Sequence, residues 1–441
     1  MSPEEARAWL EAHVSVEAGA RVSGRGQRLV AIDRMWPLVE LLGSPQLEYP
    51  AVHLTGTNGK TSTARMTTAL LMAAGLSTGA YTSPHLQRVN ERMSWNDQPI
   101  DDETLADQLT AVAAVEDFLP DRPSHFEILT AAALRWFSDV AVDVAVVEVG
   151  LGGSGDATNV VDGRVAVVTN VSVDHVDYIG PTVHDIASEK AGIVKPGSVL
   201  VLGETDPALA APFLEREAER VVARDVDFGV TENALAVGGR VVGLFTPSAE
   251  YHGVYMPLHG SHQADNAAVA LTAAECFLGG ALEHDTVVSA FAAVRSPGRL
   301  EVVGRRPLVL LDGAHNVAGA IALRDALAEE FAGSERTLVV GLLRQKDPRE
   351  MLAALGAVDA TRLVCCRPPS DRAIAPDELA AAALELGIAR DAIDVIDGID
   401  AALARAFATT SEEGQIVVTG TLYLVGAARA LLVSPDDSTS F

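Results

Sequence analysis

The sequence predicts an α/β protein of two domains, and three observations carry the prediction. Short β-branched apolar runs alternate with Ala- and Leu-rich helical stretches along the 441 residues, the pattern of a mainly parallel sheet covered by helices. The runs are apolar almost throughout, as strands buried on both faces require. A Pro297-Gly298 turn separates two such series and divides the chain into domains over 1–295 and 296–441, each of a size that supports its own core.

Taken in order, strands are expected at 51–55, 142–149, 165–171 and 199–202, with a helix over 63–74. Between 221 and 256 the texture changes. The apolar runs 234–237 and 240–245, joined through Gly238 and Gly239, read as an antiparallel hairpin. The second series places strands at 308–312, 337–342, 362–366, 393–396 and 416–419. Cys365 and Cys366 fall inside one of these and read as core; with Cys276 they make neither a disulfide framework nor a zinc site. The polar tail over 434–441 is expected to fray.

Composition narrows the function. Apolar residues make up 48% and charged residues 21%, which is ordinary globular usage. The 33 Lys and Arg stand against 60 Asp and Glu, a net charge of −27. Such a surface suits neither non-specific nucleic-acid binding nor an anionic membrane. A phosphate or carboxylate ligand must therefore find a local basic patch. The N-terminus lacks the basic and apolar regions of a signal peptide, and no run approaches the ~18 apolar residues of a membrane span. The expectation is a cytoplasmic protein.

The strongest local signal lies at 55–62, Thr-Gly-Thr-Asn-Gly-Lys-Thr-Ser, between an apolar strand and a helical stretch. Backbone N–H groups of Thr57, Asn58 and Gly59 can converge on phosphate oxygens at a helix N-terminus. Lys60 supplies a point charge, and the hydroxyls of Thr61 and Ser62 lie within reach of a Mg²⁺ ion. The form is Gly56-x-x-Gly59-Lys60-Thr61, shorter than the usual phosphate loop.

Further motifs stand downstream of this loop in a fixed order. Thr82-Ser83-Pro84-His85-Leu86 and Arg88-Val89-Asn90-Glu91-Arg92 come first. Glu148-Val149-Gly150-Leu151-Gly152-Gly153, Asp156-Ala157-Thr158-Asn159, Asp174-His175-x-Asp177 and Glu189-Lys190 come next. Gly260-x-His262-Gln263-x-x-Asn266, Pro297-Gly298-Arg299, Asp312-Gly313-Ala314-His315-Asn316 and the run 419–426 complete the series. On these motifs and the short loop, the sequence resembles the folylpolyglutamate synthase/dihydrofolate synthase family, a branch of the Mur ligase superfamily. The resemblance implies a P-loop-type ATPase domain with a mainly parallel sheet, then a smaller Rossmann-like α/β domain that belongs to the glutamate-ligase part of the reaction. It implies ATP as co-substrate, two Mg²⁺ ions, and small-molecule partners: L-glutamate with dihydropteroate or reduced folates. It also implies a monomer.

The residue roles come from the same resemblance. Ser83, Glu148 and His175 are implied as metal ligands. On chemistry alone His175 reads as a structural or general-base residue, since Mg²⁺ prefers oxygen. Lys190 joins them as a carbamylated lysine, which turns a cation into an anion; its plain alternative is a helix lysine paired with Glu189. Lys60, Lys190 and His175 are implied as the catalytic set. Asn266, Arg299 and Asp312 are implied as nucleotide contacts. Phe126, Glu127, Gly155, Asp156, Ala157 and His315 are implied to line the substrate site, with a contribution from 32–34. An aromatic beside a carboxylate suits stacking on a pterin and bonding its amino group.

One departure stands out. The family reads an arginine and a large apolar residue where this chain has Ser154 and Gly155. The expectation is intact ATP and metal binding with altered pterin binding. Two rivals are therefore kept: a ligase of the same superfamily for another carboxylate, and a nucleotide-binding regulator without catalysis.

Overall fold

The computed structural model describes residues 1–15, 31–174, 178–333 and 335–433. Among the described residues, eight strands build the first sheet: β1 (Ala51–Thr55), β2 (Thr78–Tyr81), β3 (Met93–Trp95), β4 (Gln98–Pro99), β5 (Val144–Glu148), β6 (Gly163–Val168), β7 (Val199–Leu202) and β8 (Arg220–Ala223). Their order is β4-β3-β2-β5-β1-β6-β7-β8. From β2 to β8 the neighbours run parallel, and only β3 and β4 are antiparallel additions at one edge. β1 lies in the middle, and all five of its residues are buried. Its register sets Leu54 beside Glu148 of β5 and Thr55 beside Val168 of β6. Three strand ends thus arrive at one edge, the ligand edge of a parallel sheet.

The helices Asp102–Glu116 and His125–Asp139 bury Leu109, Val112, Ile128 and Phe137 against Ala145 and Val147. A second cluster packs Ile186, Ile193 and Phe213 on Ala166, Val168 and Leu200. β6 stops at Val168, three residues short of the expected strand, because 169–172 turn aside to hold the loop after β1. The expected hairpin is a three-stranded sheet of order β11-β10-β9, formed by β9 (Gly229–Ala236), β10 (Gly239–Phe245) and β11 (Glu250–Met256). β11 escapes pattern reading because a register shift between Val242 and Leu244 breaks the pairing rhythm.

The second sheet holds, among the described residues, β12 (Glu301–Arg305), β13 (Leu308–Leu311), β14 (Arg336–Val340), β15 (Arg362–Cys366), β16 (Ile393–Ile396) and β17 (Gln415–Thr419) in the order β12-β13-β17-β14-β15-β16. All neighbours are parallel except β12 with β13. β12 was not expected; as an edge strand it is only partly buried and lacks the continuous apolar run. Cys365 and Cys366 lie in the core of β15, and burial pushes their thiols up to about 12 and about 11. The polar tail over 434–441 lies outside the described residues.

The chain forms two compact units. One comprises 1–236, 240–257 and 263–294, the other 237–239, 258–262 and 295–441. No helix among the described residues is long and apolar enough to cross a membrane.

Candidate active site

The loop after β1 enters the helix Lys60–Ala73 through Gly59, whose φ is +81°. A Cβ there would also strike the amide of Asn266, so only glycine serves both demands. Asn266 therefore lies against the loop, with its Nδ2 donating to Gln263 Oε1 at 3.0 Å. The segment after β6 staples the loop from the other side. Thr57 N donates to Asn170 O at 2.9 Å, and Asn58 N donates to Asn170 Oδ1 at 3.0 Å. Asn58 O accepts from Thr169 Oγ1 at 2.7 Å and Asn170 Nδ2 at 2.9 Å, while Thr57 Oγ1 donates to Ser172 O at 3.1 Å. These bonds give the loop its shape in the protein alone, which lowers the ordering cost of binding. Ser62 is buried in the first turn of the helix.

Sequence reading passed over Thr169, Asn170 and Ser172. Their signal was a polar Thr-Asn pair closing an otherwise apolar run.

Glu148 ends β5 and is 1% exposed. Its two oxygens accept from Thr61 Oγ1 at 3.1 and 3.0 Å, and Oε2 accepts from Ser83 N at 3.3 Å. Ser83 follows β2, the strand beside β5. The structure thus gathers one carboxylate and two hydroxyl-bearing residues, all hard oxygen donors. Among the described residues no group of three or more His, Cys, Asp or Glu assembles. The set does not fit zinc; it fits Mg²⁺, which keeps water and takes substrate phosphate oxygens beside one or two carboxylates. His175 lies outside the described residues.

Lys190 ends the helix Val183–Lys190 and is buried. Its Nζ donates to Gly56 O at 2.8 Å, the same carbonyl that accepts from Lys60 Nζ at 3.1 Å. Burial, followed by the charge of Lys60, pushes the Lys190 amine down to about 7, against the pull of Asp174, Asp156 and Glu189. Gly56, Thr57, Lys60, Gly152, Asp174 and Lys190 line one pocket of the first unit. Two lysines converging on a carbonyl make the local basic patch that the acidic chain required. Asp174, quoted in the motif Asp174-His175-x-Asp177 but given no site role, also belongs to this pocket.

The expected substrate residues cluster around the loop after β5, and most of their polar groups are committed. The ring of Phe126 lies over Gly150, where a Cβ would not fit. Glu127 is not a free carboxylate beside that ring. It closes a capping box with Ser124 at the helix start and takes Arg34 Nε at 3.1 Å on both oxygens. The 32–34 segment thus contributes Arg34 to Glu127, and Ile32 N, which donates to Gly155 O at 3.2 Å. Asp156 Oδ2 accepts from Leu151 N at 2.9 Å and Oδ1 from Thr158 N at 2.9 Å; burial raises its pKa. Gly155 N donates to Glu189 Oε1 at 2.9 Å, and Ala157 is fully buried. Ser154 Oγ donates to Glu189 O at 3.1 Å, and its side chain faces Gly192.

Arg299, Asp312 and His315 belong to the second unit. Asp312 follows β13, with Oδ2 accepting from Leu300 N at 2.9 Å and Oδ1 from Ala314 N at 2.8 Å. Burial raises its pKa while Arg299 lowers it. Leu300 is held at φ +48°, a strained value for a branched residue. His315 Nδ1 lies 2.9 Å from Gly313 O.

The comparisons with known proteins agree with this geometry. Residues 54–274 match the model of the Mur ligase middle domain, and residues 298–422 match that of the Mur ligase glutamate ligase domain. A dihydrofolate synthase/folylpolyglutamate synthase of Mycobacterium tuberculosis is 42% identical over 91% of this chain and 90% of its own length. The crystal structure of a Mycobacterium tuberculosis folylpolyglutamate synthase complexed with ADP superposes with a TM-score of 0.91 at 38% identity, covering 98% of each chain. A bifunctional folylpolyglutamate synthase/dihydrofolate synthase solved with Mn, AMPPNP and L-glutamate bound gives a TM-score of 0.82 at 26% identity, again over 98% of each. The chain belongs to the Mur ligases and, within them, to the folylpolyglutamate synthase/dihydrofolate synthase family of ATP-dependent glutamate ligases.

Proposed function

We propose that this chain joins L-glutamate to dihydropteroate, to (poly)glutamylated reduced folates, or to both, through an acyl phosphate, releasing ADP and phosphate. The observation that carries the reading is the meeting of Lys60, Lys190 and Glu148 around the loop after β1, with Thr61 Oγ1 bonded to Glu148. A carboxylate oxygen of the acceptor attacks the γ-phosphorus and ADP leaves. The glutamate amine then attacks the acyl carbon, phosphate departs, and the nitrogen gives up a proton. Such a sequence asks the protein for positioning and charge neutralisation, not for a nucleophile of its own.

The amides of Thr57 and Asn58, expected on phosphate, are instead taken by Asn170. The Gly59 amide at the start of the helix Lys60–Ala73 is left to meet phosphate, and Lys60 exchanges its two loop carbonyls for phosphate oxygens. Asn266, Arg299 and Asp312 are nucleotide contacts in this reading. Glu148, Thr61 and Ser83 would hold Mg²⁺, which when bound would neutralise charge on the transferring phosphoryl group. A second ion is assigned to His175 and to Lys190 in carbamylated form. In the first unit, Phe126 and the loop 150–157 line the substrate side; in the second, His315 carries a substrate-binding role in this reading. The reading carries with it a monomer acting on small molecules in the cytoplasm.

The test is ADP release with ATP, Mg²⁺ and L-glutamate, comparing dihydropteroate with a reduced monoglutamate folate. Glutamate-dependent turnover with either is expected. ATP binding without turnover on either overturns the reading in favour of a non-catalytic regulator or a different carboxylate.

Ser154 and Gly155 favour attention to that last reading. The short side chain of Ser154 packs on the end of the helix Val183–Lys190 and carries no charge towards an acceptor. Replacing Ser154 by Arg and Gly155 by Leu together is expected to lower KM for dihydropteroate several-fold, roughly the worth of one added charge-assisted contact. KM for ATP should stay within about twofold. An unchanged pterin KM would remove the loop from any role in acceptor choice.

A further inference from the structure

β1 carries the phosphate loop at its end, and two of its side chains also hold the loop after β5. His53 and Thr55 are two residues apart and so face the same side of the sheet. Thr55 Oγ1 donates to Gly152 O at 2.9 Å. His53 Nε2 lies 2.9 Å from Thr158 Oγ1. The Thr158 hydroxyl gives its own proton to Asp156 Oδ1, so the imidazole must be the donor in the first of these bonds. The proton therefore sits on Nε2. Nδ1 is the bare acceptor nitrogen, and it has no partner among the described residues. The ring is completely buried, and burial together with Lys195 pushes it down to about 3, which keeps it neutral. The other oxygen of Asp156 takes Leu151 N at 2.9 Å. An unbroken line of hydrogen bonds thus runs from the strand of the phosphate loop to both ends of the segment 151–158.

We propose that His53 is a positioning residue: through Thr158 and Asp156 it fixes the loop 151–158, and with it the acceptor carboxylate, in register with the phosphate loop. The inference rests on the reading of that loop as the acceptor side. In-line transfer makes the register matter, because a misplacement near 1 Å between carboxylate and γ-phosphorus costs roughly 10²-fold. A bond made only to shape the core would not distinguish one substrate from the other.

The full chain is assayed with ATP, Mg²⁺, L-glutamate and whichever of dihydropteroate or a reduced monoglutamate folate the wild type turns over. His53→Phe keeps the volume and removes the donor. It is expected to raise the acceptor KM about tenfold while leaving KM for ATP within about twofold. His53→Gln returns an N–H near the position of Nε2 and should bring the acceptor KM back to within about threefold. Thr158→Val should repeat the loss, and Thr158→Ser should spare it. If a thermal melt shows that His53→Phe does not fold, the Thr158 pair decides on the same two constants. An acceptor KM that does not move, a rise shared equally by ATP, or a glutamine that rescues nothing overturns the proposal. A silent wild type overturns the acceptor reading itself, and the positioning role falls with it; a working wild type with unmoved variants overturns the positioning role alone.

Discussion

Glu148→Gln is expected to lower kcat by roughly 10²–10³-fold, the scale seen when one preorganised electrostatic group is lost from a transferring centre. The side chain is 1% exposed and meets both Thr61 Oγ1 and the backbone of Ser83. Glutamine has the same shape and still accepts from Thr61 through its carbonyl oxygen. What it lacks is the negative charge that the proposed role of Glu148 as a metal ligand requires. The deficit should therefore appear as a raised Mg²⁺ requirement together with a lower kcat. A melting temperature equal to or above that of the wild type should accompany it, because a buried carboxylate is costlier to desolvate than an amide. The measurement is ADP release across a Mg²⁺ titration. Activity within threefold of the wild type at saturating Mg²⁺ would show that Glu148 only orders the loop.

Lys190→Arg is expected to fall at least as far, roughly 10²-fold or more, and to separate two readings of the same side chain. Lys190 Nζ shares the Gly56 carbonyl with Lys60, and burial plus that neighbour brings the amine down to about 7. A substantial neutral fraction near pH 7 is what carbamylation needs. The amine nitrogen adds to CO₂, a proton leaves, and the product is an anion. Arginine keeps a positive charge and cannot make that change under these conditions. If Lys190 serves only as a cation on phosphate, Lys190→Arg should retain most of the activity and Lys190→Met should not. If it serves as the carbamate, both should be inactive, and ¹³C NMR with labelled bicarbonate should show a carbamate resonance in the wild type that both variants lack. A wild type without that resonance while fully active would end the carbamate assignment.

Several parts of this protein were legible in the sequence because they are local. A strand, a glycine-lysine turn and a helix stand consecutively at 51–73, and each step is stated by adjacent residues. β7, β15 and β16 were also read at the boundaries they have, since strands buried on both faces announce themselves as short apolar runs. Other ends were misread by one or two residues, as at β5 and β14, and the largest slip is where a long-range partner intervened. β6 stops at Val168 because Thr169 and Asn170 are needed by Asn58, more than a hundred residues earlier. β12 carries no apolar run, since an edge strand buries only part of itself. β11 is hidden by a register shift that only pairing creates.

The candidate site divides along the same line. By itself the sequence determined which residue types are present in which order: the lysine and hydroxyls of the loop, the carboxylate at a strand end, and the order of motifs that gave the family. The tertiary structure decided what each of those groups is free to do. Glu127, expected to meet a substrate, is spent on Arg34 and on its own helix cap, and Asp156 on Thr158 and Leu151. Lys190 meets the carbonyl of Gly56 across 134 residues of chain, and its burial there beside Lys60 lowers its proton affinity. His53, which looks like one more residue of a buried strand, becomes a fixed donor only because Thr158 has given its proton elsewhere. The reason is physical: a hydrogen-bonding group has a small, fixed number of bonds to give, and folding decides which distant partners claim them.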